Sequence, residues 1–393
     1  MPLDSRSSCE VSWCSNGRYL ESRPVYKMDP FYHGGCYYPM EASSMFLEFA
    51  LQQLELPEGG VMLDLCAAPG GKSLILKDHF PKHLLLSNEI EAKRSHILRE
   101  NSIRWGVNRH IIVNSSAEKI NQTGVEFDLI LVDAPCSGEG LFRKDPLSRS
   151  EWTKERAGGC ALRQERILED TLPMLTEGAY LVYSTCTYNP EENLDRVCMA
   201  RDNDELNSIE LQLPEDTGIE RIEKDGVVGY QFWPHRIKGE GFFIAVLRKA
   251  GYSQSNSPFS SKSNQRMETP VHLDEHIIEK YDNRYYAYSS EEHAMLKQLR
   301  DIPIVKKGVF LGEEKGKDFL VSHDFAMQPA AVGQLPKLEL DLSEATLFLK
   351  GNAIIKECDK GSVLICYEGV AIGVGKSNGK RINNRLPKHL RIH

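Results

Sequence analysis

Two cysteines stand at positions suited to chemistry. Cys136 follows the run Asp128-Leu129-Ile130-Leu131-Val132-Asp133-Ala134-Pro135, and Cys186 follows Tyr180-Leu181-Val182-Tyr183-Ser184-Thr185. Each apolar run breaks into small and polar residues, the signature of a buried strand ending in a loop. Open α/β sheets bind ligands at that end of their strands. A thiol presented there can have its pKa lowered by backbone N–H groups or a nearby cation, and so act as a nucleophile. Asp133, three residues before Cys136, supplies a carboxylate that can accept a hydrogen bond or carry a proton. Cys9, Cys14, Cys66, Cys160, Cys198, Cys358 and Cys366 are read instead as small hydrophobes.

A second device lies upstream. Leu63-Asp64-Leu65-Cys66-Ala67-Ala68-Pro69-Gly70-Gly71-Lys72 is a tight strand-to-helix turn of small residues, in which Gly70 and Gly71 let backbone approach a ligand. It matches neither the dinucleotide fingerprint nor the P-loop. Glu89, at the end of the next strand and about 20 residues on, is placed to accept hydrogen bonds from a ribose diol. Turn and carboxylate together point to an adenosine-containing cofactor. With a thiolate beside it, such a cofactor suits one reaction. An aromatic pyrimidine carbon is a poor nucleophile, and covalent addition at the neighbouring carbon makes it reactive.

The elements that must position these groups follow a repeating pattern. Strands are expected at 61–66, 83–89, 111–113, 128–132, 180–184 and 242–247. Helices are expected at 41–54, 71–79, 92–105, 161–175 and 191–200. This alternation predicts a doubly wound parallel α/β sheet. The acidic stretch 202–225 reads as a solvated insertion, and Ser, Asn, Gln and Pro make 251–270 a linker. Residues 276–299 read as helical, followed by short strands and a small β-rich C-terminal module. The chain thus divides into an N-terminal arm (1–40), a catalytic domain (41–250), the linker, an intermediate domain (271–335) and a final module (336–393).

Composition narrows the classes. The chain has 393 residues, 41% hydrophobic and 26% charged, with a formal charge of −8. That acidity argues against a surface uniformly coated for nucleic acid, but 376–391 holds six Lys or Arg and no acid. The ten cysteines include no Cys-x-x-Cys pair, so no zinc site or other metal centre is expected. A reduced, cytoplasmic protein fits, with no secretion signal and no membrane span.

The stretches LDLCAAPGGKS (63–73), NEIEAKR (88–94), DLILVDAPCSGEGLFRKDP (128–146) and YSTCTYNPEEN (183–193) resemble the Sun-type RNA cytosine-5 methyltransferases, most closely the bacterial RsmF-like ribosomal RNA enzymes. DLSEATLFLKGNAI (341–354) and the run 373–391 resemble the RNA-binding PUA-like module of that branch. The resemblance implies a seven-stranded Rossmann-like domain, S-adenosyl-L-methionine as methyl donor, and an α+β region ending in a PUA-like module. It makes Cys186 the nucleophile, Cys136 the residue that assists product release, and Asp133 a contact to both cofactor and base. Cys66, Ala67, Ala68, Pro69, Gly70, Gly71 and Lys72 would hold the methionine portion, and Glu89 the ribose. Arg94 and Pro135 would complete the pocket, with Asn114 or Ser115 near the adenine. Residues 1–40 would be the remnant of a longer RNA-binding region.

RNA contacts are expected from Arg143 and Lys144 beyond the thiol loop, and from Lys376, Lys380, Arg381, Arg385 and Lys388. The implied protein is a monomer acting on RNA, with 16S ribosomal RNA implied by the branch and transfer RNA as the alternative. Two rivals are an exocyclic-nitrogen methyltransferase and a non-catalytic ribosome-assembly factor. The first would carry an Asn/Asp-Pro-Pro-aromatic element where this chain has Asp133-Ala134-Pro135-Cys136.

Overall fold

A computed structural model describes residues 7–204, 206–252 and 269–392. Most of the linker expected at 251–270 lies outside the described residues. The main sheet is built on five parallel strands: β1 (Val61–Asp64), β2 (Leu84–Asn88), β3 (His110–Val113), β4 (Phe127–Asp133) and β5 (Leu175–Thr185). Their spatial order is β3-β2-β1-β4-β5. Side chains alternate across the sheet, so β4 sends Ile130 and Val132 into one core and Leu129 and Leu131 into the other. Burial on both faces is why these strands read as unbroken apolar runs.

The sheet grows to ten strands, three more than the resemblance implied. Its remaining members are β6 (Leu206–Ser208), β7 (Glu220–Lys224), β8 (Val227–Phe232), β9 (Phe242–Lys249) and β10 (Ile304–Lys306). β9 runs antiparallel to β5 and carries β8 and then β7 outward, with β6 also paired to β9. The acidic stretch is therefore not merely a solvated insertion. Two of its acids, Glu220 and Glu223, lie on the outermost strand, as an edge exposed to water allows. At the opposite edge β10 pairs with β3, and Lys306 reaches across to the carbonyls of His110 and Gly308.

The helix expected over 276–299 is corrected. Ile277–Tyr281 and Arg284–Tyr288 form a hairpin around Asp282 and Asn283, with Asp282 in the left-handed region at φ 54°. Only Ser290–Gln298 is helical, and it starts at a capping box between Ser289 and Glu292. The hairpin joins Val309–Lys315 and Asp318–Val321 in a separate four-stranded sheet. The C-terminal module is a five-stranded sheet packed on the helix Leu342–Leu349.

The N-terminal arm bridges two parts of the molecule. Phe31 stacks edge-on against Tyr367 of the C-terminal module at 5.2 Å. Tyr38 and Met40 press on the turn at Gly71, where a Cβ would fall 2.9 Å and 2.3 Å from them. No helix among the described residues is long and apolar enough to cross a membrane.

Candidate active site

The first strand ends in the glycine turn. Gly70 sits at φ 116°, a conformation costly for any other residue, and opens helix α1 (Gly71–His79). The turn is pinned from behind by helix α2 (Ala92–Arg104). Asn101 donates to the carbonyl of Pro69 (2.7 Å) and Arg94 to that of Ala68 (2.6 Å). Ala67 N–H donates to the carbonyl of Asn88 (2.8 Å). Burial pushes the Cys66 thiol above its ordinary range, so this cysteine stays protonated.

Glu89 is buried just beyond β2, with one oxygen accepting from Glu91 N–H and the other 3.3 Å from Arg94. Next to it Ile90 is 71% exposed, an apolar face beside that buried carboxylate. Asn114 turns away, its amide donating to the carbonyl of Glu89 (2.6 Å). Oδ1 of Asp64 and Oγ of Ser115, at the carboxyl ends of β1 and β3, are buried without a hydrogen-bond partner among the described residues. Buried polar groups normally find partners, so an amine-bearing, hydroxyl-bearing ligand along this edge meets what the residues present. Burial also raises the Asp64 carboxyl to about 7.

The two thiols meet. The Sγ atoms of Cys136 and Cys186 are 3.1 Å apart, and the N–H of Cys186 points at the sulfur of Cys136 (3.3 Å). Their loops are sewn together by Gly140, whose N–H donates to the carbonyl of Cys186 (2.9 Å). A Cβ at Gly140 would come within 2.5 Å of the carbonyl of Gly241 and 2.8 Å of that of Cys186. Glycine is therefore required for this close approach.

Asp133 ends β4 beside them. One of its oxygens accepts from Ser184 Oγ (2.8 Å), and the other is 2.8 Å from Lys72 Nζ. Burial works against charge on Lys72, yet the Asp133 carboxylate holds its pKa above the ordinary lysine value. Cys186 is lowered from 9.0, first by the hydrogen bond from the Cys136 thiol and further by the Lys72 ammonium. Cys136 is raised well above its ordinary value by the same hydrogen bond and by burial. Of the two, Cys186 is the more readily ionised and Cys136 the one that keeps its proton and donates.

Sequence reading placed Lys72 in the cofactor turn; the structure aims its amine at Asp133, next to the thiols. It singled out neither Ser184, Ile90 nor Glu192, each of which lies inside a recognised stretch but is distinguished only by its contacts. Arg143 is 54% exposed, and its guanidinium is engaged by the carbonyls of Pro234 and Gly239 and the carboxylate of Glu240. Lys144 is exposed. In the C-terminal module Lys380, Arg381 and Lys388 project to solvent, whereas Lys376 pairs with Asp318 and Arg385 with Glu313. Lys376, Asp318 and Arg385 line an open cleft of about 480 Å³ where the hairpin 309–321 meets the module.

Residues 51–248 match the family model described as 16S rRNA methyltransferase RsmB/F. The chain belongs to this family. Residues 335–392 match the RsmF methyltransferase PUA domain. The ribosomal RNA small subunit methyltransferase F of Shewanella woodyi is 29% identical over 97% of this chain and 84% of its own length. That of Erwinia tasmaniensis is 28% identical, with coverage of 97% and 84%. Among solved structures, a methyltransferase homologue from Pyrococcus horikoshii is 30% identical, with a TM-score of 0.54 over 63% of this chain and 80% of that one. NSun6 from the same organism, solved with SFG, is 27% identical, with a TM-score of 0.52, covering 61% and 62%. As an RsmB/F member the chain is an RNA methyltransferase that depends on S-adenosylmethionine, and cytosine carbon-5 chemistry is that of the family.

Proposed function

We propose that this chain methylates carbon-5 of a cytosine in 16S ribosomal RNA through a transient bond to Cys186. The observation that carries the reading is the pair of sulfurs 3.1 Å apart beside the Asp133–Lys72 ion pair. The turn 66–72, Glu89 and Ile90 would hold S-adenosylmethionine, with Arg94 bracing the turn. When bound, that cofactor supplies an electrophilic methyl group.

The protein's own groups do the rest. Cytosine must leave its stack to expose carbon-6 to a thiol. Cys186 thiolate forms a bond to carbon-6, and the ring double bond's electrons move toward carbon-5. Asp133 accepts from the exocyclic amine, while the Lys72 ammonium keeps positive charge beside the thiolate in a water-poor site. Bonding turns Cys186 into a thioether and removes the negative charge that kept Cys136 protonated, so Cys136 gives up its own proton to solvent. Once carbon-5 has taken the methyl group, the Cys136 thiolate removes the carbon-5 proton. The electrons reform the double bond and expel Cys186.

Bisulfite sequencing of total RNA from cells with and without the gene tests the reading. A protected cytosine in 16S ribosomal RNA that converts only in the deletion strain is the expected result. Loss of protection in transfer RNA instead would reassign the substrate.

A further inference from the structure

Glu192 is a carboxylate with zero exposure that touches neither sulfur. It sits in the short turn Pro190–Glu192 after the second thiol loop. Oε2 accepts from the backbone N–H of Ser137 (2.8 Å) and from Gln164 Nε2 (3.2 Å). Oε1 accepts from Ser137 Oγ (2.5 Å) and lies 3.5 Å from Thr187 Oγ1. Ser137 Oγ and Thr187 Oγ1 are 2.9 Å apart. Gln164, itself fully buried on the helix Lys154–Thr171, also donates to the carbonyl of Pro135 (3.1 Å). The Glu192 carbonyl is held in turn by the hydroxyl of Tyr183 (2.8 Å).

The residues tied to this carboxylate are the neighbours of the two thiols: Pro135 and Ser137 flank Cys136, and Thr187 follows Cys186. We propose that Glu192 is a positioning residue that yokes the two cysteine loops and sets the separation of their sulfurs. The role needs a carboxylate. Ionised, it is an acceptor at both oxygens, and donors from Ser137 and Gln164 converge on it. A glutamine of the same shape would turn an NH₂ toward one of those donors. A buried network that is only partly satisfied loses its rigidity. The proposal rests on the reading in which both thiols act on one nucleobase, but its first test does not.

That test is oxidation of the full-length protein with diamide, which takes two electrons and two protons from the thiol pair to form a disulfide and is itself reduced to the hydrazine. Loss of two hydrogens is read by intact mass, with a peptide map assigning the Cys136–Cys186 link. The rate reports the distance between the sulfurs and requires neither cofactor nor RNA. Displacements on the order of 1 Å cost reactions up to about 100-fold, so Glu192→Gln is expected to slow the cross-link about tenfold or more. RNA affinity should remain as in the wild type. A wild-type cross-linking rate in Glu192→Gln overturns the proposal. If that variant lacks the native circular-dichroism spectrum, Ser137→Ala, which removes one tie, decides instead: slower cross-linking is expected, and an unchanged rate overturns the yoke.

In methyl-transfer assays Glu192→Gln should lower turnover while leaving KM for RNA unchanged. If cross-linking slows but Cys136→Ala traps no RNA adduct, the thiol roles fail and the yoke stands. If Cys136→Ala traps the adduct but Glu192→Gln cross-links at the wild-type rate, the thiol roles stand and the yoke fails.

Discussion

The sulfur of Cys136 lies 3.1 Å from that of Cys186, across a sequence separation of 50 residues. Either thiol could reach a base placed between the loops, so their roles must be separated by trapping. Cys136→Ala should accumulate a covalent protein–RNA adduct because product release stalls, and Cys186→Ala should form none. Denaturing gels with labelled RNA read both. The reverse pattern would exchange the assignments.

The lowered Cys186 thiol gives a pH signature. Thiolate rises with pH through the pKa, so a depressed pKa moves the reactive plateau to lower pH. Alkylation of Cys186 by iodoacetamide should therefore show a midpoint below 9.0. Lys72→Met removes a cation that favours the thiolate, and Cys136→Ala removes the hydrogen bond to it. Both should move the midpoint upward, toward more alkaline pH. A midpoint that stays fixed in both variants would mean that neither group tunes the nucleophile.

In the proposed cofactor site Glu89 would supply the ribose contact. Hydrogen bonds to charged groups contribute about 1.5–3 kcal/mol, so Glu89→Ala should weaken binding of S-adenosylhomocysteine about 10- to 100-fold by calorimetry. Arg94 is half exposed and remains solvated after the change, so thermal stability should hardly move. Ile90→Ala should weaken the same binding by a smaller factor. Unaltered affinity in Glu89→Ala would place the diol elsewhere.

RNA anchoring by the C-terminal module should depend on which cations are free to meet phosphate. Lys380, Arg381 and Lys388 are exposed, and neutralising the three together should weaken RNA binding and flatten its salt dependence. For single strands, the slope of log affinity against log salt falls by about 0.7 for every phosphate the protein no longer neutralises. Lys376→Ala and Arg385→Ala should have smaller effects, because Asp318 and Glu313 already hold those side chains. An equal loss from all five would mean that these pairs open on binding.

Local order along the chain was enough to determine the parallel sheet, the glycine turn and both thiol loops. Strands buried on both faces must be apolar along their length, and turns that approach a ligand must be small, so each leaves a mark within a few residues. The same local signals reached their limit at 276–299. There an Asp-Asn turn and alternating tyrosines outweighed the helical pattern, and only the Ser289–Glu292 capping box marked where the helix begins. Edge strands at 206–208, 220–224 and 304–306 were hidden because an edge needs little hydrophobicity and gains its hydrogen bonds from a distant partner.

What tertiary structure alone decided was contact between residues far apart in sequence. It turned the Lys72 amine onto Asp133, closed the gap between the sulfurs, and converged Ser137, Gln164 and Thr187 on Glu192. The residue types that can do chemistry are written one after another along the chain. The distances that let them act on one atom are set by packing and hydrogen bonds between strands, which no stretch of sequence contains.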